Sequence, residues 1–201
     1  SINTERGIML LVADIGNTHT VVGVYNEDTL IGSWRISSDI SRTEDEVLIY
    51  LKNWFDMSGI TFSGISGGVI SSVVPSLTTV LSHVFIDNMK VDPLVVSDSI
   101  DTGLTILYDT PRLVGADRIC NAVAGLSLYG SPLIIVDFGT ATTFDVVTEE
   151  GEYLGGVIAL GLSGASEELH KLSAKLPRVS LEFPAEVVGR NTENSMQSGI
   201  L

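Results

Sequence analysis

Two short segments of the chain combine an aspartate, a glycine and threonines at the end of an apolar run. The first is DIGNTHT, beginning at Asp14, and the second is DFGTATT, beginning at Asp137. A glycine after a strand lets the backbone turn tightly, while exposed N–H groups and threonine hydroxyls can donate to phosphate oxygens. The aspartate would hold a cation, because a bare carboxylate beside a phosphate repels it. The pattern therefore predicts two phosphate-binding hairpins.

Each segment taken alone is better explained as a simple β-turn, in which Asp, Gly and Thr are common. The ligand-binding interpretation is favoured by an internal repeat, since the two segments align at a constant offset without a gap. The matched pairs are Asp14 with Asp137, Gly16 with Gly139, Thr20 with Thr143, Val24 with Val147, Glu27 with Glu150 and Gly32 with Gly155. Two such hairpins facing each other across a cleft would hold a nucleoside triphosphate. Neither is a Walker loop, because G-x-x-x-x-G-K-[ST] does not occur.

A third candidate segment is VGADRICNAVAGL, which reads as the start of an apolar helix. Asp117 and Arg118 would lie in its first turn, where an aspartate is also favoured simply by the helix dipole. In a catalytic role, the carboxylate would stand near a substrate hydroxyl and the guanidinium near a substrate anion. Phosphoryl transfer is mainly positioning and charge stabilisation, so an ionised aspartate is a sufficient base.

The elements that must position these residues follow the same order in each half of the chain. Three hairpin-connected strands open the half and a helix follows, which predicts a duplicated α/β fold with domains at 9–113 and 114–201, after a short tail of residues 1–8. The predicted strands are 9–14, 20–25, 29–36, 67–74, 94–96, 133–137, 142–147 and 153–159. The predicted helices begin near Thr43, after Pro75, near Gly115 and near Ser163, and Thr192 is a candidate N-cap for one more.

Composition limits the classes of partner. The formal charge of −14 and a pI near 4.4 argue against a nucleic-acid or membrane-surface partner, because phosphates would repel such a surface. The single cysteine, Cys120, excludes an internal disulfide and fits a reducing compartment. Without a long apolar span, the chain is expected to be a soluble cytoplasmic protein.

The motifs together carry a family resemblance. DIGNTHT, SSVVP, GADR, DFGTATT, GGVI, AKLPRV and VGRNT occur in this order between Met9 and the C-terminus. This set resembles the type III pantothenate kinases, which belong to the actin, hexokinase and heat-shock chaperone superfamily. The resemblance implies duplicated ribonuclease H-like domains with mixed sheets flanked by helices. It also implies transfer of the ATP γ-phosphoryl group to the hydroxyl of pantothenate, the first step of coenzyme A synthesis.

The resemblance assigns both hairpins to ATP and its cations. Asp14 would serve Mg²⁺ and the triphosphate, and Asp137 would be a ligand for a monovalent cation, K⁺ or NH₄⁺. The residues implied to bind the nucleotide are Asp14, Gly16, Asn17, Thr18, Gly139, Thr140 and Thr142.

The resemblance also assigns residues to pantothenate. Asp117 is implied to be the catalytic base, and Arg118, Gly115 and Tyr108 are implied to contact the substrate. Thr192 resembles a threonine that reaches the pantothenate site of the partner subunit, so a homodimer is implied.

The chain departs from the family pattern at two places. Leu160 stands before Gly161, where family members usually have proline, and family members continue beyond Leu201, so a C-terminal portion is expected to be absent. Two other functions stay open at this stage. One is a kinase of the same superfamily that acts on acetate or a sugar, and the other is a non-catalytic relative of the Bvg accessory factor type.

Overall fold

The computed structural model describes residues 8–201, so residues 1–7 of the predicted tail lie outside the described part. The chain forms an α/β fold that divides into two compact units. Unit 1 contains the described residues up to Leu104 together with Asp109–Ala124, and unit 2 contains Thr105–Tyr108 and Gly125–Leu201. The domain boundary predicted between residues 113 and 114 separates the two copies of the sequence repeat, whereas the two units are defined by contacts. That boundary stays a prediction.

Unit 1 is built on a five-stranded mixed sheet in the order β3-β2-β1-β4-β5. Its strands are β1 (Met9–Ile15), β2 (His19–Asn26), β3 (Thr29–Ser37), β4 (Ile65–Ser72) and β5 (Leu94–Val95). The first three form antiparallel hairpins, whereas β4 runs parallel to β1 and β5 runs parallel to β4. The predicted hairpin-connected strands are therefore confirmed.

Helices α1 (Glu44–Ser58) and α2 (Pro75–Val84) lie in unit 1, and α3 (Ala116–Tyr129) runs from unit 1 into unit 2. The predicted capping box begins α1, because Glu46 N–H donates to Thr43 Oγ1 at 3.4 Å and Thr43 N–H donates to the Glu46 carboxylate at 2.8 Å. Short helical turns also occur at Phe62–Gly64, Phe85–Met89 and Pro111–Leu113.

The core of unit 1 lies on one face of its sheet. Alternate residues of β1, Leu11, Ala13 and Ile15, are buried in it with Leu51 and Phe55 of α1. Since side chains alternate along a strand, the intervening residues of β1 face the other side of the sheet. The two tryptophans of the chain also pack here, with the Trp34 and Trp54 ring centroids 5.4 Å apart and the rings nearly parallel.

Unit 2 contains a three-stranded antiparallel sheet in the order β6-β7-β8. Its elements are β6 (Leu133–Phe138), β7 (Ala141–Val147), β8 (Tyr153–Leu160), α4 (Leu162–Leu172) and α5 (Thr192–Ile200). The β7–β8 pairing shifts register between Val146 and Val147, and the β2–β3 pairing of unit 1 does so one position further along the repeat, between Val24 and Tyr25. The two halves thus share the order and pairing direction of three consecutive strands, as the repeat predicts.

Two local predictions are corrected by the structure. The strand predicted for 67–74 is Ile65–Ser72, because Ser72 Oγ hydrogen-bonds Val74 N–H and carbonyl in the turn that leads into α2. The N-cap of α5 is Asn191, whose Oδ1 accepts from Asn194 N–H at 2.8 Å, and not Thr192, which is the first helical residue. In the described part of the chain, none of the helices has the length and apolar content needed to cross a membrane.

Gly161 lies against the turn between β6 and β7. A Cβ at this position would stand 2.3 Å from the Thr140 carbonyl oxygen and 2.5 Å from that of Gly139. These are backbone atoms, so no side-chain rotation could relieve the contact. A glycine is therefore required where α4 begins if the DFGTATT turn is to keep its conformation.

We expect Gly161→Ala to displace this turn and to destabilise unit 2 by about 1–3 kcal/mol, the usual cost of overpacking. Hydrogen exchange of the 134–147 segment should become faster, since the Gly139 N–H bond to the Ala141 carbonyl would be strained. Gly164→Ala is the matched control, because its Cβ meets only the flexible end of Leu160. Equal protection of the segment in both variants would contradict the steric role of Gly161.

Candidate functional site

Asp14 lies at the end of β1, on the face of the sheet opposite the core, and its side chain is exposed. In the parallel pairing with β4, Asp14 lies beside Ser71. Ser71 is buried, with 6% exposure, and its Oγ donates a 3.0 Å hydrogen bond to Asp14 Oδ1. The carboxylate is therefore held from the adjacent strand at the place where β1 ends.

The turn after Asp14 is held by backbone hydrogen bonds. Gly16 N–H donates to the His19 carbonyl at 3.0 Å, and Ser38 N–H donates to the Thr18 carbonyl at 2.9 Å. Asn17 and Thr18 are exposed at its tip. The predicted motif thus presents polar side chains next to an exposed carboxylate, on a turn anchored at both ends.

Asp117 lies in the first turn of α3, as the sequence predicts. Its Oδ1 accepts a 2.9 Å hydrogen bond from the backbone N–H of Arg118, which places the carboxylate at the helix N-terminus. A Cβ on Gly115 would stand 2.3 Å from the same oxygen, so this glycine leaves the room that the carboxylate occupies. Arg118 is buried, with 7% exposure.

Cys120 follows Asp117 by one turn of α3. Its half-buried side chain is hydrogen-bonded to Ser71. Burial raises the pKa of the thiol, the charges of Asp14 and Asp117 raise this pKa further, and the Ser71 hydrogen bond opposes the rise. The charges of both predicted carboxylates therefore act on one thiol, although sequence reasoning gave Cys120 no part in the site.

The second motif begins at the end of β6 in unit 2. Asp137 is half-buried and pairs with Thr143, and Gly139 N–H donates to the Ala141 carbonyl at 3.0 Å. Thr140 is exposed at the turn. Thr142 differs from the expectation of an open phosphate donor, since it is 5% exposed and its hydroxyl has no hydrogen-bond partner among the described residues.

Two further predicted residues lie elsewhere in unit 2. The ring of Tyr108 packs on Gly155 of β8, whose φ of 126° and missing side chain make room for it. The neighbouring backbone is bonded to the same strand, with Leu107 N–H donating to the Tyr153 carbonyl at 2.8 Å. Thr192 is exposed at the start of α5.

Sequence reasoning missed one buried carboxylate, that of Asp145 in β7. It is fully buried and accepts hydrogen bonds from Tyr153 Oη at 2.7 Å and from Thr143 Oγ1 at 3.3 Å. Its alternation with Thr143 and Val147 on one face of β7 was the available signal. Its buried partners indicate that it holds β7 to β8.

No group of three or more potential metal-ligating side chains occurs within residues 8–201. An exposed carboxylate such as that of Asp14 nevertheless fits Mg²⁺ in nucleotide sites. There the ion is held by one or two carboxylates, by phosphate oxygens and by water. The donor set present thus suits a cation that arrives with a phosphate ligand.

The fold is shared with two solved structures. The activator of the 2-hydroxyisocaproyl-CoA dehydratase from Clostridium difficile with bound ADPNP has a TM-score of 0.52 and 13% identity, covering 96% of this chain and 63% of that one. A reductive activator for a corrinoid, iron–sulfur protein has a TM-score of 0.51 and 11% identity, covering 82% of this chain and 33% of that one. The predicted fold, duplicated ribonuclease H-like domains of the actin-like ATPase type, is confirmed as a fold.

Sequence comparison is more specific than the fold. The family model described as type III pantothenate kinase matches residues 10–201. A type III pantothenate kinase from Bacillus cytotoxicus is 49% identical over 193 residues, which cover 96% of this chain and 74% of that protein. The chain described above, with its repeated Asp-x-Gly hairpins and its Asp-Arg helix start, belongs to the type III pantothenate kinase family.

Proposed function

We propose that this protein transfers the γ-phosphoryl group of ATP to pantothenate and so makes 4'-phosphopantothenate for coenzyme A synthesis. The observation that carries the proposal is the 49% identity with a type III pantothenate kinase over 96% of the chain. The residue placement within unit 1 supports it independently, since Asp14 is held at the end of β1 by Ser71 and the charges of both Asp14 and Asp117 raise the pKa of the Cys120 thiol. ATP with Mg²⁺ is the phosphoryl donor of this kinase family.

Asp117 is the proposed general base. Its carboxylate would accept the proton of the pantothenate hydroxyl while that oxygen forms a bond to the γ-phosphorus of ATP. The bond from the γ-phosphorus to the β,γ-bridging oxygen breaks in the same displacement, and ADP leaves. The room beside Gly115 and the Arg118 N–H bond support this role, because they hold the carboxylate at the start of α3.

Asp14 is the proposed carboxylate for Mg²⁺ in unit 1, and Gly16, Asn17 and Thr18 are its proposed nucleotide-binding neighbours. The bound Mg²⁺ would neutralise charge that develops on the phosphate oxygens. A cation is needed here because the protein itself carries a formal charge of −14. The exposure of Asp14 and of the turn that follows it supports the assignment.

The second motif is proposed to contact nucleotide phosphates through Gly139, Thr140 and Thr142. Asp137 is proposed as the ligand of a monovalent cation, K⁺ or NH₄⁺. The support is the equivalence of this hairpin with the first one in sequence and pairing direction. The buried hydroxyl of Thr142 would need a small rearrangement of the turn before it could donate to a phosphate.

Pantothenate is proposed to contact Gly115, Arg118 and Tyr108 of one subunit and Thr192 of its partner, so the working form is a homodimer. Arg118 supplies a guanidinium for the substrate carboxylate, and its burial would strengthen that attraction. Thr192 is exposed, as a residue that reaches a partner must be. The cytoplasm is the proposed compartment, because ATP is the phosphoryl donor.

Replacing the proposed base should abolish most turnover. We expect Asp117→Asn to lower kcat by about 10²–10⁴-fold, the usual contribution of a general base. Its KM for ATP should change little. Asp28→Asn, at an exposed turn between β2 and β3, is the matched control and should keep normal activity. Turnover by Asp117→Asn near that of the control would refute the role of Asp117 as the base.

Activity assays with acetate and with sugars in place of pantothenate would reveal a different phosphoryl acceptor.

Removal of the Asp137 carboxylate should weaken the response to monovalent cations. We expect Asp137→Asn to need at least roughly tenfold more K⁺ for half-maximal activity, which corresponds to a loss of only about 1.4 kcal/mol in cation binding. The measurement is a KCl titration at constant ionic strength, balanced with a large organic cation. An unchanged activation curve would remove Asp137 from the cation site.

The partner role of Thr192 predicts complementation between two inactive variants. Asp117→Asn and Thr192→Ala homodimers, mixed and allowed to exchange subunits, should regain about a quarter of wild-type activity, because half of the dimers then contain one intact site. Thr192→Ala alone must first show a clear loss of activity. If that variant is impaired but mixing restores nothing, Thr192 does not act in the partner's site.

A further inference from the structure

A line of hydrogen-bonded side chains crosses unit 1 from Asp14 to the helix that carries Asp117. Ser71 of β4 donates to Asp14 Oδ1 at 3.0 Å, and the same serine is hydrogen-bonded to Cys120 of α3. Cys120 follows Asp117 by three residues, so the two lie on the same face of α3. Three elements that are distant in sequence are therefore joined through one buried hydroxyl.

The burial of Ser71 limits its hydroxyl to the hydrogen-bond partners beside it. A buried hydroxyl without a partner is costly, so the serine is held by its acceptor and its thiol neighbour. Its position is also set by the β1–β4 register, in which Ser71 lies directly beside Asp14. Ser71 is uncharged, so it bonds the Asp14 carboxylate without adding a charge beside it.

We propose that Ser71 and Cys120 are positioning residues, which hold the Asp14 carboxylate at a fixed distance and orientation from Asp117. The proposal rests on the proposed function, in which Asp14 serves Mg²⁺ and Asp117 accepts the substrate proton. Ser71 fixes the rotamer of Asp14 by its hydrogen bond, and Cys120 ties that assembly to α3. Neither residue contacts the reacting atoms.

The serine-to-alanine change tests the link to the cation. Ser71→Ala should raise the Mg²⁺ concentration for half-maximal activity by roughly 10- to 100-fold, as loss of a hydrogen-bonding partner of a metal ligand commonly does. The KM for pantothenate should change much less, because the acceptor site is left intact. Ser71→Thr retains the hydroxyl and should restore most of the Mg²⁺ response.

Ser66→Ala is the matched control. Ser66 also lies on β4 and also bonds β1, since its Oγ donates to the Met9 carbonyl at 3.1 Å and accepts from Met9 N–H at 3.0 Å. It touches no carboxylate of the site. A general weakening of the β1–β4 contact would thus affect both variants, whereas a positioning role affects the Mg²⁺ response of Ser71→Ala alone.

Cys120 provides a second and independent test. Cys120→Ala should raise the Mg²⁺ requirement in the same direction, and Cys120→Ser should do so less. The double variant Ser71→Ala/Cys120→Ala should be close to Ser71→Ala alone, since both changes break one connected line. Fully additive effects on the Mg²⁺ requirement would contradict that connection.

Folding and function are separated by two further readouts. Both tryptophans are partly buried and pack against the core of unit 1, so their fluorescence reports whether each variant retains that core. If Ser71→Ala loses the folded core, the Cys120 variants test the positioning role instead.

If the wild-type protein fails to phosphorylate pantothenate, the proposed function fails. Mg²⁺-dependent binding of ADP to the same variants then becomes the test of the positioning role. Wild-type Mg²⁺ dependence in folded Ser71→Ala and Cys120→Ala, by activity or by ADP binding, would overturn the inference.

Discussion

The register of the parallel pairing between β1 and β4 is the constraint on which the candidate site of unit 1 depends. It buries Leu11, Ala13 and Ile15 on the core face and leaves Asp14 beside Ser71 on the other. A slip by one residue would turn Asp14 into the core and expose Ile15, at a cost in both buried charge and lost apolar burial. Burial of the apolar residues of β1 thus sets the position of Asp14, although Asp14 itself contributes nothing to the core.

Charge is the second constraint. A protein with a formal charge of −14 repels a nucleoside triphosphate unless cations and N–H groups offset that repulsion locally. The turns after β1 and β6 carry glycines, Gly16 and Gly139, which leave little side-chain bulk beside the backbone there. In unit 1, the neutral side chain of Ser71 bonds the Asp14 carboxylate without adding to the negative charge.

Most of the elements were predictable because their signals are local. Runs rich in apolar residues mark β1, β2 and β3, the Thr43–Glu46 capping box marks the start of α1, and Pro75 marks the start of α2. The errors lie where short polar side chains compete to bond the backbone. Ser72 ends β4 earlier than the apolar pattern suggests, and Asn191 takes the cap that Thr192 could also have supplied.

The sequence by itself determined the strand and helix order, the duplication and the identity of the candidate residues Asp14, Asp117 and Asp137, because spacing, periodicity and motif order are properties of the chain. Only the tertiary structure decided which side chains meet. Ser71, Cys120 and Asp14 are far apart in sequence and become neighbours through strand pairing and helix packing. Likewise, a glycine is needed at position 161 because the backbone of the turn at Gly139 and Thr140 lies against it. No local sequence pattern encodes that contact.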